Sequence, residues 1–354
     1  MENLILGGLF MLAGAICGGS FGLPSKFAKK DTPWEVLWGP FFLFVTIVIP
    51  VILAPLLVKD LGSIYREVNV TEVIVPSLIF GLLWGLGSMT LGMSFAFIGL
   101  SLAYALNYGA QIVFGSMMPM LIFEGDKVLT MPGYVTMGGV AVCLVGVAVA
   151  GRAGILKERS LKSDEPAADP DSAIKRPKIL IGLTIGVLSG VLCACFAVAA
   201  GYADPIGEKA VKTYGNPDWA AAWAPVTMIL LGGAVSSCLY CIVQLTRNKT
   251  WGHFAKPGVG LVLLLAAVMA VLHNGALFLL FLGLFELKKA GELFLPVGYP
   301  IFMSFAIIVG NVHGFRTGEW KGASRESVQW IIAGIALLIA GVCVLGLAKW
   351  LAIE

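Results

Sequence analysis

GLLWGLGSMTLGMSFAFIGLSLAYALNYGAQIVFGSMMPML, Gly81 to Leu121, contains no Asp, Glu, Lys or Arg. An α-helix rises about 1.5 Å per residue, so about 20 apolar residues carry it through the ~30 Å hydrocarbon core of a bilayer. The stretch therefore reads as the better part of two successive crossings, at 72–93 and 99–123.

Outward from it the pattern recurs between Leu4 and Ala352, at 4–24, 35–58, 131–151, 179–200, 220–244, 259–285, 291–312 and 326–349. Composition agrees: 58% of the 354 residues are hydrophobic and only 13% are charged, against roughly a quarter charged in a soluble domain. Such a chain cannot build a water-compatible surface. The expected fold is an all-α membrane protein of about ten transmembrane helices, with the lipid bilayer as its first partner. The first apolar run has Glu2 ahead of it instead of a basic cluster, and it ends without a convincing small-x-small cleavage site, so it reads as a retained helix.

One loop is long, Arg152 to Lys178, rich in Lys, Asp, Ser, Pro and Ala, and it reads as a flexible linker. It divides the chain into residues 1–151, a cytoplasmic linker at 152–178, and residues 179–354. Leu12, Gly14 and Cys17 recur as Leu188, Gly190 and Cys193, and Gly87 with Phe97 recurs as Gly275 with Phe285. Two similar units of five spans enter a membrane in opposite orientation, so the expectation is a pair of inverted five-helix repeats, with a substrate site near the midplane. Lys and Arg number 16 in the odd loops and 8 in the even loops and tails, which predicts cytoplasmic odd loops and two periplasmic termini. A net charge of +3, spread over inter-helix loops, gives no basic face for nucleic acid.

The 44 glycines include pairs four apart on one helix face, Gly14 with Gly18 and Gly81 with Gly85, and the run Gly182, Gly186, Gly190. Small faces of this kind let helices approach closely in lipid. Pro50, Pro55, Pro119, Pro225, Pro296 and Pro300 fall inside spans, where each frees a carbonyl. All seven cysteines lie in apolar runs, and the lone pair Cys238 and Cys241 suits packing better than metal or redox work.

Polar side chains inside spans mark helix-helix hydrogen bonds or a wet cavity. Tyr104, Asn107, Tyr108 and Gln111 stand at i, i+3, i+4 and i+7, which places them on one stripe of the fourth span. Amides offer donors and acceptors to sugar hydroxyls, and aromatic rings can cover the C–H face of a pyranose. The alternative for the stripe is interhelical bonding. Trp84 is a candidate stacking platform in the third span, Asn274 adds an amide in the eighth, and Tyr299 lies between Pro296 and Pro300 in the ninth. For a proton-coupling group the candidates are His273, deep in the eighth span, and the span-end carboxylates Asp204 and Glu292, with Glu208 and Glu286 as similar span-end positions. No phosphate-binding, zinc-hydrolase or nucleophile-elbow signature is present, so neither an enzyme nor a cofactor or metal site is expected.

The stretch Gly81 to Leu121, with GRAGILKER at Gly151 to Arg159 and GEW at Gly318 to Trp320, resembles the bacterial L-rhamnose/proton symporter family of the drug/metabolite transporter superfamily. The resemblance extends over nearly the whole chain in length, span number and loop order. It implies a ten-span carrier in the bacterial inner membrane that imports a small sugar, a deoxyhexose, together with a proton. The substrate would lie against the third, fourth, eighth and ninth spans. The rival readings are an exporter or facilitator of another metabolite on the same scaffold, and a membrane sensor that binds without moving its ligand.

Overall fold

A computed structural model describes residues 2–29, 31–163, 172–318 and 320–352. Its helices are α1 (Glu2–Ser20), α2 (Trp34–Leu43), α3 (Ile49–Leu57), α4 (Leu61–Glu67), α5 (Val75–Phe123), α6 (Met131–Ser163), α7 (Ser172–Lys212), α8 (Asp218–Ala221), α9 (Trp223–Arg247), α10 (Val259–Lys289), α11 (Phe294–Arg316) and α12 (Arg325–Leu351). Short 3-10 and π turns join some of them, and no strand occurs among the described residues. Ten segments are long and apolar enough to cross a membrane, in the order read from the sequence.

Composition suggested a flexible linker from Arg152, but the helix α6 continues to Ser163, and α7 begins at Ser172. Residues 164–171 lie outside the described residues. The extension has local causes. Leu, Lys, Glu and Arg are good helix formers, Arg152 lies over the Trp330 ring at 4.2 Å, and Lys157 lies over Trp320 at 4.9 Å. The Ser324 N–H donates to Ser160 Oγ at 3.1 Å, so the added turns are bound to the start of α12.

The chain forms two compact units, Met1–Leu86 with Cys195–Lys289, and Gly87–Ala194 with Ala290–Glu354. Each draws helices from both halves of the sequence, and α5 and α7 contribute to both units.

In the first unit α1 packs along α10, and α2 and α3 pack on α9. Between α2 and α3 the backbone widens into a π turn, Phe44–Val48, so that the Ile49 N–H reaches the Phe44 carbonyl. The same register would assign the Val45 carbonyl to residue 50, but Pro50 has no N–H. Asn274 Nδ2 on α10 supplies the donor, at 3.2 Å from the Val45 oxygen. A buried carbonyl left alone in lipid costs several kcal/mol, so this side chain repairs the break that proline makes.

The second unit repeats the device. Pro300 in α11 cannot donate to the Pro296 carbonyl, and Ser116 Oγ on α5 donates to it instead at 2.6 Å. Along the other side of this unit α6 and α12 lie against each other over small residues.

The helix α5 runs for 49 residues without a break in its helical pattern, yet it holds the third and fourth spans. A Cβ added to Gly87 would stand 2.5 Å from the Cys193 nitrogen, and one on Gly190 would stand 2.4 Å from the Asn107 oxygen. Positions 190 and 193 are one turn apart on α7, whereas a straight helix would separate residues 87 and 107 by about 30 Å. The helix therefore turns back, and both arms lie on the same stretch of α7. The glycine face read from the sequence is what admits them. Gly190→Val drives a side chain into the Asn107 backbone and is expected to remove the folded, monodisperse protein from detergent extracts. Gly8→Ala, where a Cβ meets nothing within 4 Å, should leave size-exclusion behaviour unchanged.

Candidate functional site

The stripe on the fourth span is buried. Tyr104, Asn107, Tyr108 and Gln111 are all closed to solvent, and Tyr299 of α11 is 1% exposed. In the second unit they form a directed chain of hydrogen bonds. Tyr299 Oη donates to Gln111 Oε1 at 2.7 Å, Gln111 Nε2 to Asn107 Oδ1 at 2.5 Å, and Asn107 Nδ2 to Ser189 Oγ at 2.8 Å. Ser189 passes its own hydrogen to the Gly186 carbonyl at 2.8 Å. The rings of Tyr104 and Tyr108 lie 5.1 Å apart beside it. The i, i+4 spacing of Asn107 and Gln111 aligns their amides, and the small face of α7 lets Ser189 come close. Ser189 carries no pattern that singled it out in the sequence, apart from being a hydroxyl next to Gly190 inside a span.

Such a relay couples α5, α7 and α11 with uncharged groups only. Removing a middle member leaves buried donors and acceptors to be satisfied again, which costs about 1–3 kcal/mol. Gln111→Ala should therefore lower the melting temperature, and Gln111→Glu should lower it further, because an ionised carboxylate loses the donor to Asn107 and also buries an unpaired charge.

Trp84, His273 and Asn274 are held in the first unit. His273 is enclosed by rings: Phe21 at 5.1 Å between centroids, edge-on at 87°, Trp84 at 5.8 Å and Phe41 at 5.9 Å. Two polar atoms on consecutive residues of α10, His273 Nδ1 and Asn274 Oδ1, are buried and make no hydrogen bond among the described residues. Buried polar atoms are nearly always paired, so orphaned ones call for a water or ligand.

Of the span-end carboxylates, Asp204 is paired with Lys288, whose ammonium also donates to Glu208 Oε1 at 2.7 Å. Glu208 in turn pairs with Lys212 at 3.2 Å. These groups border a cavity of about 280 Å³ with Phe285. Glu286 accepts from Lys289 at 2.8 Å. Glu292 is more than half exposed and pairs with Lys127 at 2.8 Å. Among the described residues no three His, Cys, Asp or Glu side chains gather as a metal site.

The structure adds two ionisable groups near Glu292 that the sequence did not single out, one buried and one partly buried. Lys349 is fully buried, and its ammonium caps the Gly291 carbonyl at 2.6 Å and the Glu292 carbonyl. Glu124 Oε2 accepts the Leu293 N–H at 2.6 Å. Leu293 has a left-handed backbone, φ +60°, and this pair of side chains holds the turn in place. Burial pushes the Glu124 carboxyl above the usual carboxylate range, against the Leu293 hydrogen bond and the charge of Lys349, which pull it down. A raised folded value favours the protonated form, so its stabilising effect is complete below the ordinary carboxylate value and is lost as pH rises through the folded one. Glu124→Gln keeps an acceptor for Leu293 without the charge. It should melt above the unmodified protein at pH 7.5, with the gap closing toward pH 4.5.

Comparison with known proteins adds the lineage to this geometry. A family model described as the L-rhamnose-proton symport protein (RhaT) matches residues 1–350. The chain is 29% identical over 357 residues to the L-rhamnose-proton symporter of Cronobacter sakazakii, an alignment covering 98% of this chain and 99% of that one. It is 27% identical over 351 residues to the L-rhamnose-proton symporter of Yersinia pestis, with the same coverage. That family comprises transport proteins, not enzymes. The match runs from the first span to the last, and this ten-span chain belongs to the L-rhamnose-proton symport protein family.

Proposed function

We propose that this protein imports L-rhamnose or a closely related deoxyhexose together with a proton across the bacterial inner membrane, with both termini on the periplasmic side and two inverted five-helix repeats behind its change of access. The observation that carries the solute reading is that two buried polar atoms of α10, His273 Nδ1 and Asn274 Oδ1, make no hydrogen bond among the described residues, with His273 beside the indole of Trp84. A sugar hydroxyl can satisfy either atom, and an indole face suits the apolar C–H surface of a 6-deoxy sugar. The relay of Asn107, Gln111 and Tyr299, flanked by Tyr104 and Tyr108, offers a second set of neutral groups. Its members exchange hydrogen bonds among themselves, and a polyol could replace these one for one. Neutral groups suit a neutral solute, for which a fixed charge would bring only a desolvation cost.

For the proton we assign Asp204. His273 is taken up by the solute contact, its ring packed among Phe21, Phe41 and Trp84, and Glu292 is an exposed partner of Lys127. Asp204 is partly buried, opens onto a cavity, and shares one ammonium with Glu208. Protonation of Asp204 would release Lys288 to Glu208 alone, so a proton would change which groups are bound together. The membrane potential contributes about 2.3 kcal/mol per 100 mV for each charge moved.

Proteoliposomes with an acid-outside gradient should accumulate labelled L-rhamnose, and a protonophore should abolish the accumulation. Asp204→Asn should lose gradient-driven accumulation while keeping solute counterflow, and Glu292→Gln should keep both. Asn274→Ala and Trp84→Ala should lose counterflow. Accumulation intact in Asp204→Asn would remove that residue from the coupling, and no L-rhamnose flux under either condition would remove the sugar.

A further inference from the structure

The motif GRAGILKER takes no part in the solute or proton reading. On α6 its residues Arg152, Ile155, Leu156 and Arg159 follow at i, i+3, i+4 and i+7, so they share one face. That face is one wall of a groove of about 700 Å³ within the second unit, closed on other sides by residues of α5 and α7 such as Val113, Phe114 and Val187. Phe114 is 39% exposed and Leu144 is 45% exposed, so the groove opens outward from this unit.

Among the described residues its lining is apolar except for the two arginines and includes no carboxylate. Arg152 and Arg159 lie at the end of the fifth span and are exposed, so they stand at the polar end of the groove, where basic side chains attract the phosphate of an anionic headgroup. The guanidinium carbon of Arg152 lies over the Trp330 ring, 4.2 Å from its centroid. A contact through the ring's π cloud does not consume the guanidinium N–H groups, which remain to donate in the fork that fits a phosphate.

We propose that this groove binds an anionic phospholipid, with an acyl chain along the apolar walls and the headgroup phosphate held by Arg152 and Arg159. Both halves of the molecule are matched: the chain by the wall of Ile155, Leu156 and Phe114, the charge by two cations with no acid among the described lining residues. A zwitterionic lipid carries the same phosphate, but its ammonium finds no carboxylate among the lining residues, so the anionic lipid is favoured.

Native mass spectrometry of the purified full-length protein, with phosphatidylglycerol and phosphatidylcholine of identical chains at equal concentration, tests this. The unmodified protein should retain phosphatidylglycerol over phosphatidylcholine by roughly tenfold, the ratio for one additional charge-assisted contact. Arg159→Gln, at an exposed position, should cut the ratio with the melting temperature unchanged. Arg152→Gln with Arg159→Gln should bring it near one, and the double lysine variant should restore part of it. Equal retention of the two lipids by the unmodified protein would overturn the proposal, as would an undiminished ratio in the double glutamine variant. Displacement of phosphatidylglycerol by an equal concentration of inorganic phosphate would overturn the part assigned to the acyl chain.

Discussion

Within a bilayer a backbone carbonyl has no water to turn to, and every helix break must be repaired by another part of the chain. Proline is the recurrent cause of such breaks here. Pro50 leaves the Val45 carbonyl to Asn274, and Pro300 leaves the Pro296 carbonyl to Ser116. Each repair joins two helices that are distant in sequence, so the cost of the break becomes a tie between spans. The polar residues of this membrane protein therefore serve its architecture first, and any role in transport has to be compatible with that work.

Asn274 shows how the two duties combine. Its Nδ2 is committed to carbonyls at positions 45 and 270, while its Oδ1 is buried with no partner among the described residues. One end of the amide is thus fixed, which orients the other end toward whatever satisfies it. A group held in this way gives up little freedom when a ligand arrives, which is the physical content of a preorganised contact. The relay through Gln111 has the opposite character: its members are mutually satisfied, so a ligand must exchange bonds there instead of filling vacancies.

Charge is kept apart from both. The ionised groups form short networks at the span ends, such as Lys288 with Asp204 and Glu208, or Lys127 with Glu292. Lys349 is an exception, buried whole, with its ammonium spent on two backbone carbonyls at the turn that leads into α11. Like the amide repairs, it exchanges a hydration shell for fixed dipoles supplied by the chain itself.

The amino-acid order by itself determined the number and succession of crossings, because a 30 Å apolar slab imposes a length and a composition that can be counted residue by residue. It also placed Tyr104, Asn107, Tyr108 and Gln111 on one stripe, since helical periodicity is local. The tertiary structure alone decided their partners. Ser189 joined the relay because Gly190 lets an arm of α5 close on α7, and Tyr299 reached Gln111 across 188 positions of sequence. No pattern in the sequence marks Glu124 or Lys349, which only the turn before α11 brings to one stretch of backbone. The grouping into two compact units was equally hidden, since neighbours in lipid are chosen by the fit of small faces and by the repair of broken hydrogen bonds, both of which depend on residues far apart in the chain.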